Sequence, residues 1–386
     1  MFQVTQTITN PFVIIYNLGV IATIFLWIYQ DKVHLKNIIT EGNLTYWWFF
    51  SIAWLFFSVI ANFFFLQSDV DDAIISGTMA FVNNGANPYA QNVVVHLLNN
   101  HVVFGLYHYF PTDLFVYSIV YIICKPALVT FPFLKNSWFV FGNIVFLTIG
   151  YFFLKKILDK VEHKRLIPIY IFVTGFFLFT NSSLLVLYFT IGFYLIKKLS
   201  WHNTQYYIGI TAYIFAAGVK YITGLLLFVQ IVEEFSHVRK IKDLAFLKPY
   251  IFGSILFAIL IIPFGFYNML NATFLYQLET SSRSQVAGIY GPILIELVLL
   301  FNLLNYYSII FIIAAFISVL ISFKFGKTTY EREIILSFCF LLILPFYGTE
   351  LTVVPLLLWL FKLFDVELNF PETSFYFNNQ KADKKD

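Results

Sequence analysis

Three carboxylates, Asp69, Asp71 and Asp72, stand within four positions, directly behind Ser68 and a long apolar run. One reading of this pattern is a capping box. Ser68 would be the N-cap and Asp71 the third helical residue, and acids in a first turn complement the helix dipole. Capping accounts for one or two acids, but three in four positions repel one another and exceed that need. The other reading is chemical. A carboxylate held where lipid meets water sits in reduced dielectric, which favours its protonated form, and a second carboxylate beside it splits the titration of the pair. One of the pair can then act as a general base. Asp69 and Asp71 could equally hold Mg²⁺ or Mn²⁺, since both ions take oxygen ligands. Spacing alone does not separate the two chemistries.

Two cations stand where an anion could meet them. Lys220 lies between two apolar runs, in Gly218-Val219-Lys220-Tyr221. A lysine at mid-membrane costs about 2.5 to 3.5 kcal/mol on insertion scales, so it needs an anionic partner or a wet cavity. It either snorkels to the interface or binds a phosphate as a point charge. Arg283 is the one cation between positions 249 and 323. Its guanidinium can grip a phosphate through two parallel hydrogen bonds, or it can pair with Glu279 in solvent. His96, His101 and His108 are spaced by five and seven, not at the i, i+4 interval of a helical zinc pair. His108 remains a hydrogen-bonding candidate for a sugar or a phosphate.

These side chains must be carried by a membrane scaffold. Of 386 residues, 60% are hydrophobic and 12% charged, the latter about half the roughly 25% of a soluble domain. The composition excludes an ordinary cytosolic enzyme and a soluble domain on a single anchor. A net charge of +3 with scattered basic residues leaves no electrostatic footprint for nucleic acid. Cys124 and Cys339 lie far apart in apolar runs and suggest neither a disulfide framework nor a thiolate metal site. No basic segment precedes the first apolar run, so a cleaved signal peptide is not expected. Glycine patterns for phosphate or dinucleotide binding are absent from the sequence.

Basic clusters mark cytoplasmic ends. They fall at 32–36, 155–165, 197–198, 239–248, 324–332 and 381–385, whereas 37–124 holds no Lys or Arg at all. Placing every cluster inside predicts an all-α integral membrane protein with about eleven transmembrane helices, in a range of nine to thirteen. The crossings are 12–29, 46–66, 138–154, 166–180, 183–196, 204–218, 221–234, 249–265, 305–322, 333–347 and 351–364, with the amino terminus outside. The apolar run 114–134 is then re-entrant or interfacial, because Lys125-Pro126 interrupts it. The stretch 293–304 reads similarly.

The chain is thus expected to be one polytopic domain over 1–368, followed by a polar cytoplasmic tail over 369–386. Its external loops run over about 67–137 and 265–305. In the first, Ile75, Met79 and Val82 share one face of a short surface helix that closes at Asn84-Gly85. The sequon at Asn271 and Thr273 falls on the expected external side.

The segment DVDDAIISGTMAFVNNGANPY, followed by YHYFP at 107–111, resembles the first external loop of polytopic glycosyltransferases of the GT-C superfamily. It is most similar to the mannosyltransferases that add the first mannose of glycosylphosphatidylinositol and to related polyprenyl-phosphate-mannose-dependent enzymes. Asp69 and Asp71 fall on the family's D-x-D acids. Gly85, Pro88 and Tyr89 match its turn, and Tyr107, Tyr109 and Pro111 its closing element. The resemblance implies inverting transfer of a sugar, mannose in the nearest families, from a dolichyl- or polyprenyl-phosphate to an acceptor hydroxyl of a glycan or glycolipid. The reaction would take place on the external or lumenal face of a prokaryotic plasma membrane or the endoplasmic reticulum. It assigns catalysis to Asp69 first and Asp71 second. Asp72, Tyr89, His108, Tyr109, Lys220 and Arg283 would bind substrate, and any Mg or Mn would rest on Asp69 and Asp71. A Lys-x-Tyr-Pro element of the family is matched at Lys220 without its proline.

Two other classes compete. A transporter or flippase of lipid-linked sugars or small solutes would place ionisable groups mid-membrane in repeated, broken helices; the sequence shows neither a repeat nor mid-span acids. A non-catalytic membrane subunit would use the loops only to bind partners.

Overall fold

In a computed structural model the described residues are 43–64, 69–98, 101–131 except 108, 137–158, 166–175, 181–198, 204–238 except 237, 239 and 240 lying outside, then 241–275, 306–343 and 352–363, with isolated positions at 18–22 and 294–303. Among the described residues the architecture is all-α apart from one hairpin. Two compact units are distinguished, one over Ile39–Thr273, the other over Phe274–Asp365.

The larger unit begins with α1 (Leu44–Phe64) and α2 (Asp69–Asn84), followed by the antiparallel strands β1 (Val94–Leu98) and β2 (His101–Gly105). Then come α3 (Pro111–Thr130), α4 (Ser137–Ile157), α5 (Leu166–Gly175), α6 (Ser182–Lys198), α7 (Thr204–Val219), α8 (Ile222–Ser236), α9 (Lys248–Ile261) and the short α10 (Phe266–Leu270). The smaller unit holds α11 (Tyr307–Phe325), α12 (Thr329–Ile343) and α13 (Val353–Leu363). Among the described residues three helical stretches are long and apolar enough to cross a membrane, Pro111–Thr130, Ser137–Ile157 and Leu244–Phe264. Within the other expected crossings from 46–66 onwards the described residues also form helix, including the shorter apolar stretches Leu44–Ile60, Ser182–Ile196 and Ile309–Phe325; the crossing at 12–29 lies mostly outside the described residues.

Close helix contact in the larger unit is set by small residues. Gly175 lets α5 approach α1, where a β-carbon would stand 3.0 Å from Trp54 Cδ1, and Ser51 Oγ of α1 donates to the Pro168 carbonyl at 2.6 Å. On α6, a β-carbon at Gly192 would fall 2.9 Å from the Gly209 carbonyl oxygen of α7. In the smaller unit Lys362 pairs with Glu331 at 3.5 Å, and the Tyr330 hydroxyl donates to the Leu358 carbonyl.

One expectation is corrected. No break occurs at Lys125-Pro126, and α3 is a continuous 20-residue helix. Proline removes one backbone donor and crowds the preceding turn, but Pro126 lies in the last turns, and Lys125 Nζ donates to Asn83 Oδ1 at 2.9 Å. Helix α2 also buries a face against the protein. Ala73, Ile74, Gly77, Thr78 and Ala80 are buried along with Ile75, while Met79 and Val82 are half-buried. The helix packs on the protein through its small residues, because β1 and α3 cover it there.

Candidate functional site

The site is built on the loop between α1 and α3. Helix α2 ends where the sequence places its stop. Gly85 has φ of +63°, the left-handed conformation a glycine adopts without a β-carbon penalty. Gly85 N donates to the Phe81 carbonyl at 3.1 Å and Ala86 N to that of Ala80 at 3.2 Å, so the exposed end of the helix is closed. The chain then turns through Asn87 and Pro88, with Tyr89 N donating to Asn87 Oδ1 at 3.1 Å. Asn87 Nδ2 donates to the Phe264 carbonyl at 3.0 Å. Strands β1 and β2 pair in register from Val94 with Gly105 to Leu98 with His101, and Val95 N donates to Ser76 Oγ of α2 at 2.9 Å.

The two tyrosine elements converge. Tyr107 N donates to the Pro88 carbonyl at 2.8 Å, and the Tyr89 hydroxyl donates to the Tyr109 carbonyl at 2.7 Å. The rings of Tyr89 and Tyr107 meet edge to face at 5.5 Å, and those of Tyr107 and Tyr109 at 5.6 Å. Tyr107 also closes over α2, since a β-carbon at Gly77 would fall 2.7 Å from its ring. Burial raises both the Tyr89 and Tyr107 hydroxyls well above the usual tyrosine value, so they stay neutral. Phe264 joins the cluster against Tyr89, Phe81 and Phe115.

Lys220 arrives from a different part of the chain. It occupies the break between α7 and α8, with its amide donating to the Ala216 carbonyl at 2.9 Å. Its side chain is 7% exposed, and its ammonium lies 5.2 Å from the centroid of the Tyr109 ring, a cation–π distance. Behind this contact lie two polar groups not assigned a role from the sequence. Asp113, in the first turn of α3 behind Pro111, and Asn181, just ahead of α6, are both fully buried. Asn181 Nδ2 donates to Asp113 Oδ2 at 2.5 Å. Sequence signals existed for both. Asp113 is an acid two residues past the Tyr-x-Tyr-x-Pro element, and Asn181-Ser182-Ser183 is a polar trio inside an apolar run.

Of the site residues expected from the sequence, Tyr89, Tyr109 and Lys220 are brought together. Asp69, Asp71 and Asp72 occupy the first turn of α2, at the end opposite the Gly85 turn, and their side chains lie outside the described residues. His108 and Arg283 also lie outside them. Among the described residues no group of three His, Cys, Asp or Glu is arranged to hold a metal ion. No family model, curated protein or solved structure matches this chain.

Proposed function

We propose that the protein is a membrane glycosyltransferase that moves a sugar, mannose in the first instance, from a dolichyl- or polyprenyl-phosphate to an acceptor hydroxyl with inversion on the external or lumenal face. The observation that carries this reading is the convergence of Tyr89, Tyr107 and Tyr109 with Lys220. A rigid aromatic platform at the foot of an acid-bearing helix thereby meets a buried cation about a hundred residues further along the chain. In this reading the bundle carries about eleven crossings, with the donor's tail between helices. Asp69, with Asp71 beside it, takes the proton of the attacking hydroxyl. Lys220 stabilises the charge that develops on the departing phosphate, assisted by Arg283. Asp72 and His108 line the sugar side. The lipid phosphate is a good leaving group, so neither a nucleotide nor a strong general acid is required. Any Mg or Mn ion would rest on Asp69 and Asp71.

The test is transfer from synthetic polyprenyl-phosphate-mannose to a panel of hydroxyl acceptors, comparing wild type with Asp69→Asn. Loss of a general base lowers the rate by about 10² to 10⁴; undiminished transfer removes Asp69 from that role. Buried ionisable groups such as Asp113 and Lys220 also suit a transporter. Here both stand at helix ends, not in the middle of paired broken helices. No transfer with any donor, together with flipping of the lipid-linked sugar in liposomes, would establish the transporter instead.

A further inference from the structure

We propose that Asn87 is a positioning residue: its side-chain amide clasps the bend after α9 to the turn after α2, and so fixes the Tyr109 ring against Lys220, where a lipid phosphate would enter. That the anion is a lipid phosphate rests on the transferase reading; the clasp rests on hydrogen bonds alone. Asn87 uses both ends of its amide. Oδ1 accepts from Tyr89 N at 3.1 Å across Pro88, an Asx turn that fixes the residue two positions on. Nδ2 donates to the Phe264 carbonyl at 3.0 Å, 177 positions away. The main chain of Asn87 is held as well, since its carbonyl accepts from Ala90 N at 3.1 Å and from Gln91 N at 3.0 Å. A serine could make the first side-chain bond but not reach the second, whereas an amide of this length supplies both an acceptor and a donor.

The far end of the clasp is an irregular stretch. Helix α9 passes into a 3₁₀ turn over Ile262–Phe264, Gly265 bends the chain with φ of +78°, and α10 gives way to a π turn over Asn271–Leu275. Such changes of helix type often mark a hinge, and contacts from outside then decide where the stretch stands. Phe264 makes those contacts. It is 2% exposed, and its ring packs 5.0 Å from Tyr89, 5.4 Å from Phe81 of α2 and 5.5 Å from Phe115 of α3. Its carbonyl accepts a second bond, from Asn268 Nδ2 of α10 at 3.3 Å. From Asn87 two further contacts lead to the cation. The Tyr89 hydroxyl donates to the Tyr109 carbonyl at 2.7 Å, and the Lys220 ammonium lies 5.2 Å from the Tyr109 ring. Asn87 does not touch the reacting atoms in this arrangement. It sets where the ring under the ammonium stands, and so how an entering phosphate would be met.

The experiment uses the full chain in detergent, as Asn87→Ser, Gly265→Ala, their double variant and Asn268→Ala. Asn87→Ser keeps an acceptor for Tyr89 N and loses the reach to Phe264. Gly265→Ala places a β-carbon on a positive φ; its nearest neighbour, Asn268 Nδ2, would stand at an ordinary 3.4 Å, so the strain falls on the backbone and shifts the bend. Asn268→Ala removes the other donor to the same carbonyl without touching the loop. The first readout is binding of undecaprenyl phosphate in micelles. Asn87→Ser and Gly265→Ala should each weaken it about fivefold to tenfold. The double variant should lose no more than the weaker-binding single change, and Asn268→Ala should bind as wild type does. The second readout is transfer from polyprenyl-phosphate-mannose, in which Asn87→Ser should raise KM with kcat little altered; a merely destabilised chain would instead lose active fraction, and so apparent kcat, at constant KM. Unchanged binding by Asn87→Ser, an equal loss in Asn268→Ala or additive losses in the double variant overturn the positioning role. So does a wild type that binds no undecaprenyl phosphate. A wild type that binds it, weakens in the variants as expected and yet transfers no mannose removes the transferase reading and leaves the clasp in place.

Discussion

Tyr89 carries more of the site than its side-chain type suggests. Its ring is 1% exposed, and its hydroxyl reaches across twenty positions to the Tyr109 carbonyl at 2.7 Å, tying the turn after α2 to the residue under Lys220. Tyr89→Phe deletes one oxygen and strands that acceptor, at a cost of about 1 to 2 kcal/mol. The change should appear as a lowered Tm in detergent and as a higher KM for a lipid-phosphate donor with kcat little altered. Tyr89 and Tyr109 were legible in the sequence because a turn glycine, a proline and aromatic residues fall at fixed offsets. Asp113 and Asn181 gained no role there, since a lone acid and a polar trio in apolar runs do not show what they pack against, and their 68-residue separation is closed only by packing.

Helix packing in the larger unit depends on a few glycines whose hydrogen is the only atom that fits. At Gly192 a β-carbon would lie 2.7 Å from Tyr213 Cε1 and 2.9 Å from the Gly209 carbonyl oxygen. Tyr213 cannot retreat, because its ring stacks on Phe189 at 5.9 Å. Gly192→Ala should therefore destabilise the pairing of α6 with α7 by about 1 to 3 kcal/mol. Gly224→Ala is the control, because its nearest neighbour would stand 3.6 Å away; its Tm should stay near wild type. The positions of the helices were readable from hydropathy, since each must hide its backbone groups in a run of apolar residues. The hairpin was not, because Val94–Leu98 and His101–Gly105 carry no glycine turn signal between them. The continuity of α3 was missed for a related reason. A lysine before a proline breaks an isolated apolar helix, whereas here Asn83, held by Lys125 and donating to the Tyr121 hydroxyl at 3.0 Å, bonds both residues from α2.

At the scale of the whole chain, Lys220 seated over the Tyr109 ring and Asn181 bonded to Asp113 fix which helix ends share a level within the larger unit. If Lys197, Lys198 and the basic run 239–248 face the cytoplasm, then the Lys220 end of α7 faces outward, and the start of α3 stands outside with it. Helix α4 carries Lys155 and Lys156 in its last turn, so by the same rule it begins outside. Both α3 and α4 then start on one face, and only six residues separate Thr130 from Ser137. Six extended residues span about 20 Å, short of a hydrocarbon core of about 30 Å. Helix α3 is therefore expected to lie along or dip into the outer leaflet despite its length and apolarity. The arrangement can be checked by single cysteines at Phe104 and Phe131, both exposed, in a background with Cys124 and Cys339 replaced by serine. A membrane-impermeant maleimide applied outside intact cells should label both positions. Labelling of Phe104→Cys alone, with Phe131→Cys reached only after permeabilisation, would make α3 a full crossing and reverse the sidedness of α4. The basic run 155–165 would then stand on the external face, against the rule that places such runs inside.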